Sequence, residues 1–297
     1  MKYPFLPRVT RKLRRKARVA LTPLTIRRLE ARNGRSSTPA VDPSSPAYVS
    51  LTTHGARLQT VHLTIESIIR GTARPGRLVL WLDDETAWRD RPDALRRLEA
   101  RGVEVKLARN YGPHTKYYPA LDELTSDQVL VTADDDMLYP QSWLKELVMA
   151  HHREPHLVHC HRAHLVTFKG SGDLEPYEHW DECWSRRSSI ANFATGVSGV
   201  AYPTIMVDLL RAGGTRFLST APRADDVYLH AMAASHGIRV RQIRKAPQHY
   251  AMLPESQAQG LYHENVKAAG NDSQIVASYS PDLLVHVRKA RGSIDGS

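Results

Sequence analysis

Between Ala47 and Ala133 the chain alternates short apolar runs with segments whose apolar residues recur every three or four positions. The runs "AYVSLTT", "RLVLWL", "VEVKLA" and "DQVLVTA" read as strands. Between them, "LQTVHLTIESIIR", "DALRRLEARG" and a segment from Lys116 read as helices. Four apolar strands separated by amphipathic helices predict an α/β fold with a mostly parallel, Rossmann-like sheet built from βαβ units. Farther on, "QSWLKELVMAHH" predicts a helix and "LVHCHRAHLVTF" a strand pair or one long strand. "EPYEHWDECWS" reads as an aromatic loop and "RADDVYLHAMAASHG" as an acid-headed helix. The Ser- and Pro-rich stretch "NGRSSTPAVDPSSPA" reads as a linker. The expected division is a basic segment and linker over 1–47, a single catalytic domain over 48–285, and a tail over 286–297.

In open parallel sheets, ligands sit beyond the carboxyl ends of the strands. The loops after the four strands are "THGAR", "DDET", "RNYGPHTK" and "DDD", and all are polar. One crevice would gather Thr53, His54, Arg57, Asp83, Asp84, Lys116 and Asp134 to Asp136. Three adjacent carboxylates repel one another, which calls for a cation or a hydrogen-bonding ligand. The spaced pair, Asp134 and Asp136, offers hard oxygen ligands suited to Mg²⁺ or Mn²⁺ with room left for phosphate oxygens. The simpler alternative is that an Asp caps the helix beginning near Gln141.

Composition narrows the classes. An apolar content of 41% over 297 residues supports a real core. Two cysteines, Cys160 and Cys183, form neither a disulfide framework nor a paired zinc motif, which fits a reducing cytoplasm. The net charge of +10 is concentrated at one end: residues 1–40 hold twelve Lys and Arg against the single acid Glu30, so the remainder is nearly neutral. That distribution argues against nucleic acid as a partner of the folded body. The basic segment carries Leu13, Val19, Leu21, Leu24, Ile26 and Leu29 among its charges, with no apolar run long enough to span a bilayer. It reads either as an interfacial helix on an anionic membrane surface or as a solvated basic tail.

The order of motifs from Tyr48 to Ser280 resembles the GT-A fold glycosyltransferases, especially bacterial enzymes related to glycosyltransferase family 2 that build polysaccharides. The residues carrying the resemblance are "YGPHTKYYPAL", "VTADDDMLYP", "GVSGVAYP", "RADDVYLHAMA" and "GNDSQI". The resemblance implies that Asp134 and Asp136 form the metal-binding DxD, and that Asp134 also meets the donor. Asp83 matches the acid that contacts the nucleotide base, and Thr52, Thr53 and Arg57 match the loop lining the nucleotide pocket. Lys116 would offset diphosphate charge as a point cation. Asp225 and Asp226 match the acidic motif that supplies the general base of inverting members. A helix N-terminus holding an acidic pair for dipole reasons alone is the competing account of these two. Many such enzymes take a further metal ligand from a C-terminal histidine, for which His249 and His263 are the candidates. Trp180 and Trp184 could stack on a sugar or simply fill core. The histidines from His151 to His164 span a helix end and a strand, so a structural role is expected for them.

The expected activity is therefore transfer of a sugar from a nucleotide-sugar donor to a hydroxyl of a glycan or lipid-linked acceptor, dependent on Mn²⁺ or Mg²⁺ and proceeding with inversion. The expected location is cytoplasmic, peripheral at the membrane face. A nucleotidyltransferase that makes a nucleotide-sugar is the nearest alternative, although "LTTHGARLQT" lacks the glycine-rich basic loop that chemistry usually uses. A basic membrane- or nucleic-acid-binding module with a vestigial site is the non-enzymatic alternative.

Overall fold

The runs of aliphatic and β-branched residues at Ala47–Thr52 (β1) and Arg77–Leu82 (β2) are buried on both faces, as strands inside a sheet covered by helices must be. The computed structural model describes residues 8–254 and 270–295, with side chains from Leu21 to Pro254 and from Gly270 to Ser293. β1 and β2 pair in parallel with Glu104–Leu107 (β3) and Val129–Thr132 (β4) in the order β3-β2-β1-β4. A two-residue strand, Met137–Leu138 (β5), follows the aspartates. The sheet then extends through Val158–Cys160 (β6), Val200–Tyr202 (β10) and Val240–Gln242 (β11) to seven strands among the described residues, ordered β11-β6-β10-β4-β1-β2-β3. Only β10 runs antiparallel to its neighbours. Ala163–Leu165 (β7), Asp181–Glu182 (β8) and Asn192–Ala194 (β9) form a separate three-stranded sheet, and Ala251–Met252 (β12) pairs with β5.

The chain winds one way from β1 to β3 and then crosses back to place β4 on the other side of β1. That reversal opens a crevice at the carboxyl ends of β1 and β4. Two apolar layers close the faces of the sheet. One gathers Val49, Leu51, Ile65, Ile69 and Trp143, the other Tyr117, Phe193, Phe217, Val227 and Tyr202.

Two regions differ from the expectation. The basic segment is a helix, Arg8–Arg35 (α1), whose described inner residues belong to the folded body. Leu29 packs with Leu63, Leu138 and Leu253, so α1 lies against the strand that follows the aspartates. The carboxylate of Glu66, on Val61–Ile69 (α2), is fully buried and meets Arg32, Asn33 and Arg101. The strap that follows, expected as a linker, is also anchored: Ala40 is buried and its N–H donates to the Arg101 carbonyl at 2.7 Å. Small residues and prolines give a chain that lies flat on the core as readily as one that leaves it. At the other end, the expected tail belongs to Pro281–Asp295 (α10), with Val287 completely buried.

Candidate active site

Every loop predicted to line the crevice reaches it, and the contacts between them are specific. Asp135, the middle aspartate, turns inward. It accepts from Thr53 Oγ1 at 2.5 Å and from Arg57 Nη1 at 2.9 Å, and its carbonyl accepts from Thr64 Oγ1 at 2.8 Å. Burial pushes its pKa up while Arg57 opposes the rise. Asp135 therefore ties the loop after β1 to the end of β4. Asp135 and Asp136 lie in a turn, so the two share the Arg57 guanidinium, while Asp134 is turned to Lys116. Asp134 keeps a quarter of its side chain exposed and Asp136 about a tenth. Arg57 Nη1 lies 3.5 Å from Asp136 Oδ2, so one guanidinium meets two of the three acids.

Lys116 Nζ donates to Asp134 Oδ1 at 2.7 Å and lies 3.0 Å from Asp225 Oδ2. Burial opposes its charge, yet Asp134, Asp225 and Asp226 together hold its pKa well above the ordinary lysine value. The lysine thus bridges the aspartate segment after β4 to the acidic start of Asp225–Ser235 (α8). Asp226 takes the Gly196 N–H between its two oxygens, each at 3.0 Å. Only glycine permits this approach, because a Cβ at position 196 would lie 2.9 Å from Asp226 Oδ1 and 3.4 Å from Lys116 Nζ. Loss of solvent and the adjacent Asp225 push Asp226 up to about 8, against the pull of Lys116 and the Gly196 N–H.

His114 packs against the segment that leads into α8. This ring is buried, stacks on Phe217 at 4.1 Å, and donates through Nε2 to the Ala221 carbonyl at 2.7 Å while its Nδ1 accepts from Tyr117 Oη at 2.9 Å. Burial lowers its pKa to about 4, so it is a neutral hydrogen-bonding strut and not a titrating group near neutrality. Tyr139 holds the aspartate segment in the same way, its hydroxyl accepting from the Asp134 N–H at 2.9 Å.

Beside this cluster, Thr53, His54, Leu58, Leu82, Asp83 and Asp84 surround a cavity of about 250 Å³ at the ends of β1 and β2. Asp83 faces it as expected. Asp84 instead caps the short helix Glu85–Arg89 (α3) by accepting from the Ala87 N–H at 2.7 Å. Thr52 turns its hydroxyl to the Trp81 carbonyl at 3.0 Å and so lies in the sheet, beneath the pocket.

Two expected contributors stand elsewhere. Trp180 is buried, donates to the Glu175 carbonyl at 2.9 Å and packs edge-on against Phe193, so its faces belong to the core and are closed to a sugar. His249 is half-exposed and pairs with Glu182 Oε1 at 2.8 Å, away from the aspartates in its contacts. His263 lies outside the described residues. Among the described residues no three His, Cys, Asp or Glu side chains are arranged to hold a metal ion by themselves. The histidines from His151 to His164 form no metal-holding group among the described residues, and His161 donates through Nε2 to the Trp143 carbonyl at 3.1 Å.

No protein-family model and no curated sequence matches the chain. Among solved structures, a mannosyltransferase from Pyrobaculum calidifontis in complex with GDP-Man and Mn²⁺ superposes with a TM-score of 0.50 at 15% identity, covering 94% of this chain and 78% of that one. The fold is of the GT-A type. GalNAc-T7 with UDP, GalNAc and Mn²⁺ scores 0.44 at 13% identity, over 72% of this chain and 44% of that one. A 4-diphosphocytidyl-2C-methyl-D-erythritol synthase from Anaerococcus prevotii scores 0.45 at 11% identity, over 79% and 98% of the two chains. The GT-A assignment rests on the first of these together with the strand order. In this GT-A frame the reversal between β1 and β4 is where Asp135, Arg57 and Thr53 lock the two loops together.

Proposed function

We propose that this chain transfers a sugar from a nucleotide-sugar donor to a hydroxyl of a glycan or lipid-linked acceptor, with inversion at the anomeric carbon. The observation that carries this reading is the Lys116 bridge, which joins the DxD carboxylates and the α8 acids into one site. The base of the donor would enter the cavity beside Asp83, and its diphosphate would reach Asp134 and Asp136. A hard divalent ion fits these two carboxylates, since Mn²⁺ and Mg²⁺ commonly take one or two protein oxygens and complete their shell with phosphate and water. When bound, such an ion would neutralise charge on the departing nucleoside diphosphate. Lys116 adds a fixed positive charge beside the same oxygens, and Asp226 accepts the proton of the attacking hydroxyl. Water is limited at this point by Tyr117, Tyr139 and Tyr202, all buried around the cluster.

The test of the donor side is Asp136→Asn. The variant should fold normally, since asparagine matches aspartate in size and Arg57 keeps Asp135 as a partner, and its affinity for a nucleoside diphosphate should no longer respond to Mn²⁺. Titration calorimetry of a panel of nucleoside diphosphates with and without the ion measures this and names the preferred base. Unchanged Mn²⁺-dependent affinity would remove these aspartates from the metal site. Release of nucleoside diphosphate from the donor marks sugar transfer, whereas release of pyrophosphate from a nucleoside triphosphate would mark nucleotidyl transfer.

We further propose that the basic N-terminal segment places the crevice beside an anionic membrane. Among the described residues no helix is long and apolar enough to cross one. On α1 the outer residues Leu21 and Leu24 are 58% and 46% exposed, with Arg27 and Arg28 exposed beside them. Apolar and cationic groups on one helix suit an interface, each basic residue adding about 1 kcal/mol near an anionic surface. Leu21→Glu with Leu24→Glu should abolish sedimentation with phosphatidylglycerol vesicles. Retained sedimentation would reject this face as the contact.

A further inference from the structure

Away from the crevice, the segment between β7 and β8 turns through "KGSGD", Lys169 to Asp173, and meets α10. Lys169, Arg288 and Arg291 converge there on a cavity of about 400 Å³, which Thr167, Gly170 and Gly172 also line. The turn is closed by the Lys169 N–H donating to the Asp173 carbonyl at 2.7 Å and the Gly172 N–H donating to the Lys169 carbonyl at 2.9 Å. Gly172 has φ +93°, and a Cβ there would lie 2.3 Å from Arg288 Nη1. The guanidinium therefore rests on bare backbone, an approach only glycine allows.

The charges do not cancel. Arg291 lies 3.6 Å from Asp181, and Asp173 is occupied by Ser171 Oγ at 2.7 Å. Lys169 and Arg288 have no carboxylate at ion-pair distance among the described residues. A planar guanidinium, a lysine and a glycine-rich turn around an open space form the donor set that recognises a phosphate group.

We propose that this cavity binds a phosphate-class anion, carried by a phosphorylated sugar of the acceptor. The second half of the statement rests on the transfer reading above; the anion site does not. The cavity is large enough for a phosphate with part of its sugar. It is also joined to the crevice: β7 pairs with β9 from Ala163 against Ala194 to Leu165 against Asn192, and β9 leads directly to Gly196. From Arg162 to Thr167 an extended chain covers roughly 15–20 Å, so an acceptor lying along this strand pair would place its phosphate here and its hydroxyl near Asp226.

The experiment measures thermal midpoints of the full chain with inorganic phosphate and with glucose 6-phosphate at constant ionic strength, since a ligand of the native state raises the midpoint. Wild type is compared with Lys169→Ala, Arg288→Ala and, as the control for the donor crevice, Asp136→Asn. Lys169 and Arg288 are exposed, so the unliganded midpoints of their variants should match wild type. Affinity for glucose 6-phosphate should fall by at least about tenfold in each, the loss of one charge-assisted contact, and persist in Asp136→Asn. No midpoint rise in wild type, or a rise that Asp136→Asn abolishes and Arg288→Ala keeps, overturns the site. Equal affinity for the two ligands keeps the anion site and overturns its assignment to a phosphorylated sugar. Failure of the donor reading would appear separately, as a lack of nucleotide binding in wild type.

Discussion

Lys116→Met should lower the thermal midpoint by roughly 10 °C at pH 8, corresponding to about 3–5 kcal/mol for a buried ion pair that loses one partner. Methionine has a similar length and can occupy the same channel, so the loss is electrostatic and not one of volume. What remains is Asp134, Asp225 and Asp226 around a site with no cation from the lysine. The pH dependence separates this account from a packing defect. Asp226 already holds a pKa raised above the ordinary carboxylate value, and Lys116 is one of the influences restraining the rise. A carboxylate whose folded pKa is raised binds more protons folded than unfolded, so its contribution to stability falls as pH rises from about 4 through about 8. Removing the lysine enlarges that fall. The deficit of the variant should therefore be greatest at pH 8 and shrink markedly by pH 5, as Asp226 takes up its proton. A deficit equal at the two pH values would mean that Lys116 acts through packing alone.

The parts of the fold legible in the sequence are those decided by local burial. "RLVLWL" coincides with β2 because an uninterrupted apolar run has no amphipathic alternative, and "DDVYLHAMAAS" coincides with α8 because acids head a run of good helix formers. The helix expected from Lys116 fails for an equally local reason. Pro113 and Pro119 sit in "YGPHTKYYPAL", and the segment becomes two short 3-10 turns, Gly112–Lys116 and Pro119–Asp122. Those turns are what aim Lys116 and His114 into the cluster. Long-range pairing was not legible. Strand alternation predicts that Asp135 points away from both neighbours, but the chain turns at Asp135 and Asp136, and only the fold reveals that Arg57 and Thr53 hold Asp135 in a buried structural role. "LVHCHRAHLVTF" does contain two strands, yet β6 and β7 belong to different sheets, which no periodicity records. Gly196 carried a readable signal in the glycine-punctuated "TGVSG", although its partner, Asp226, lies 30 positions away.

Asp226→Asn is expected to reduce turnover by roughly 10²–10⁴-fold, the usual contribution of a positioned base, while leaving nucleotide affinity nearly intact. The two acids at the head of α8 are not equivalent. Asp225 is buried against Lys116, whereas Asp226 is only partly buried at the crevice edge and is fixed by the Gly196 N–H. Asparagine at 226 can still accept that N–H through its carbonyl, so the substitution removes the base and spares the geometry. A carboxylate held near 8 is largely protonated at pH 7, and turnover in wild type should rise with pH and level off above about 8. Because Asp225 is among the causes of that rise, the apparent pKa belongs to the pair. Asp225→Asn should therefore move the rising limb to lower pH while retaining measurable turnover. Asp226→Asn should remove the limb altogether. A pH–rate profile of the three proteins with a soluble acceptor decides the assignment. If Asp226→Asn keeps both its turnover and its rising limb, the proton of the acceptor hydroxyl goes elsewhere and Asp226 is excluded as the base.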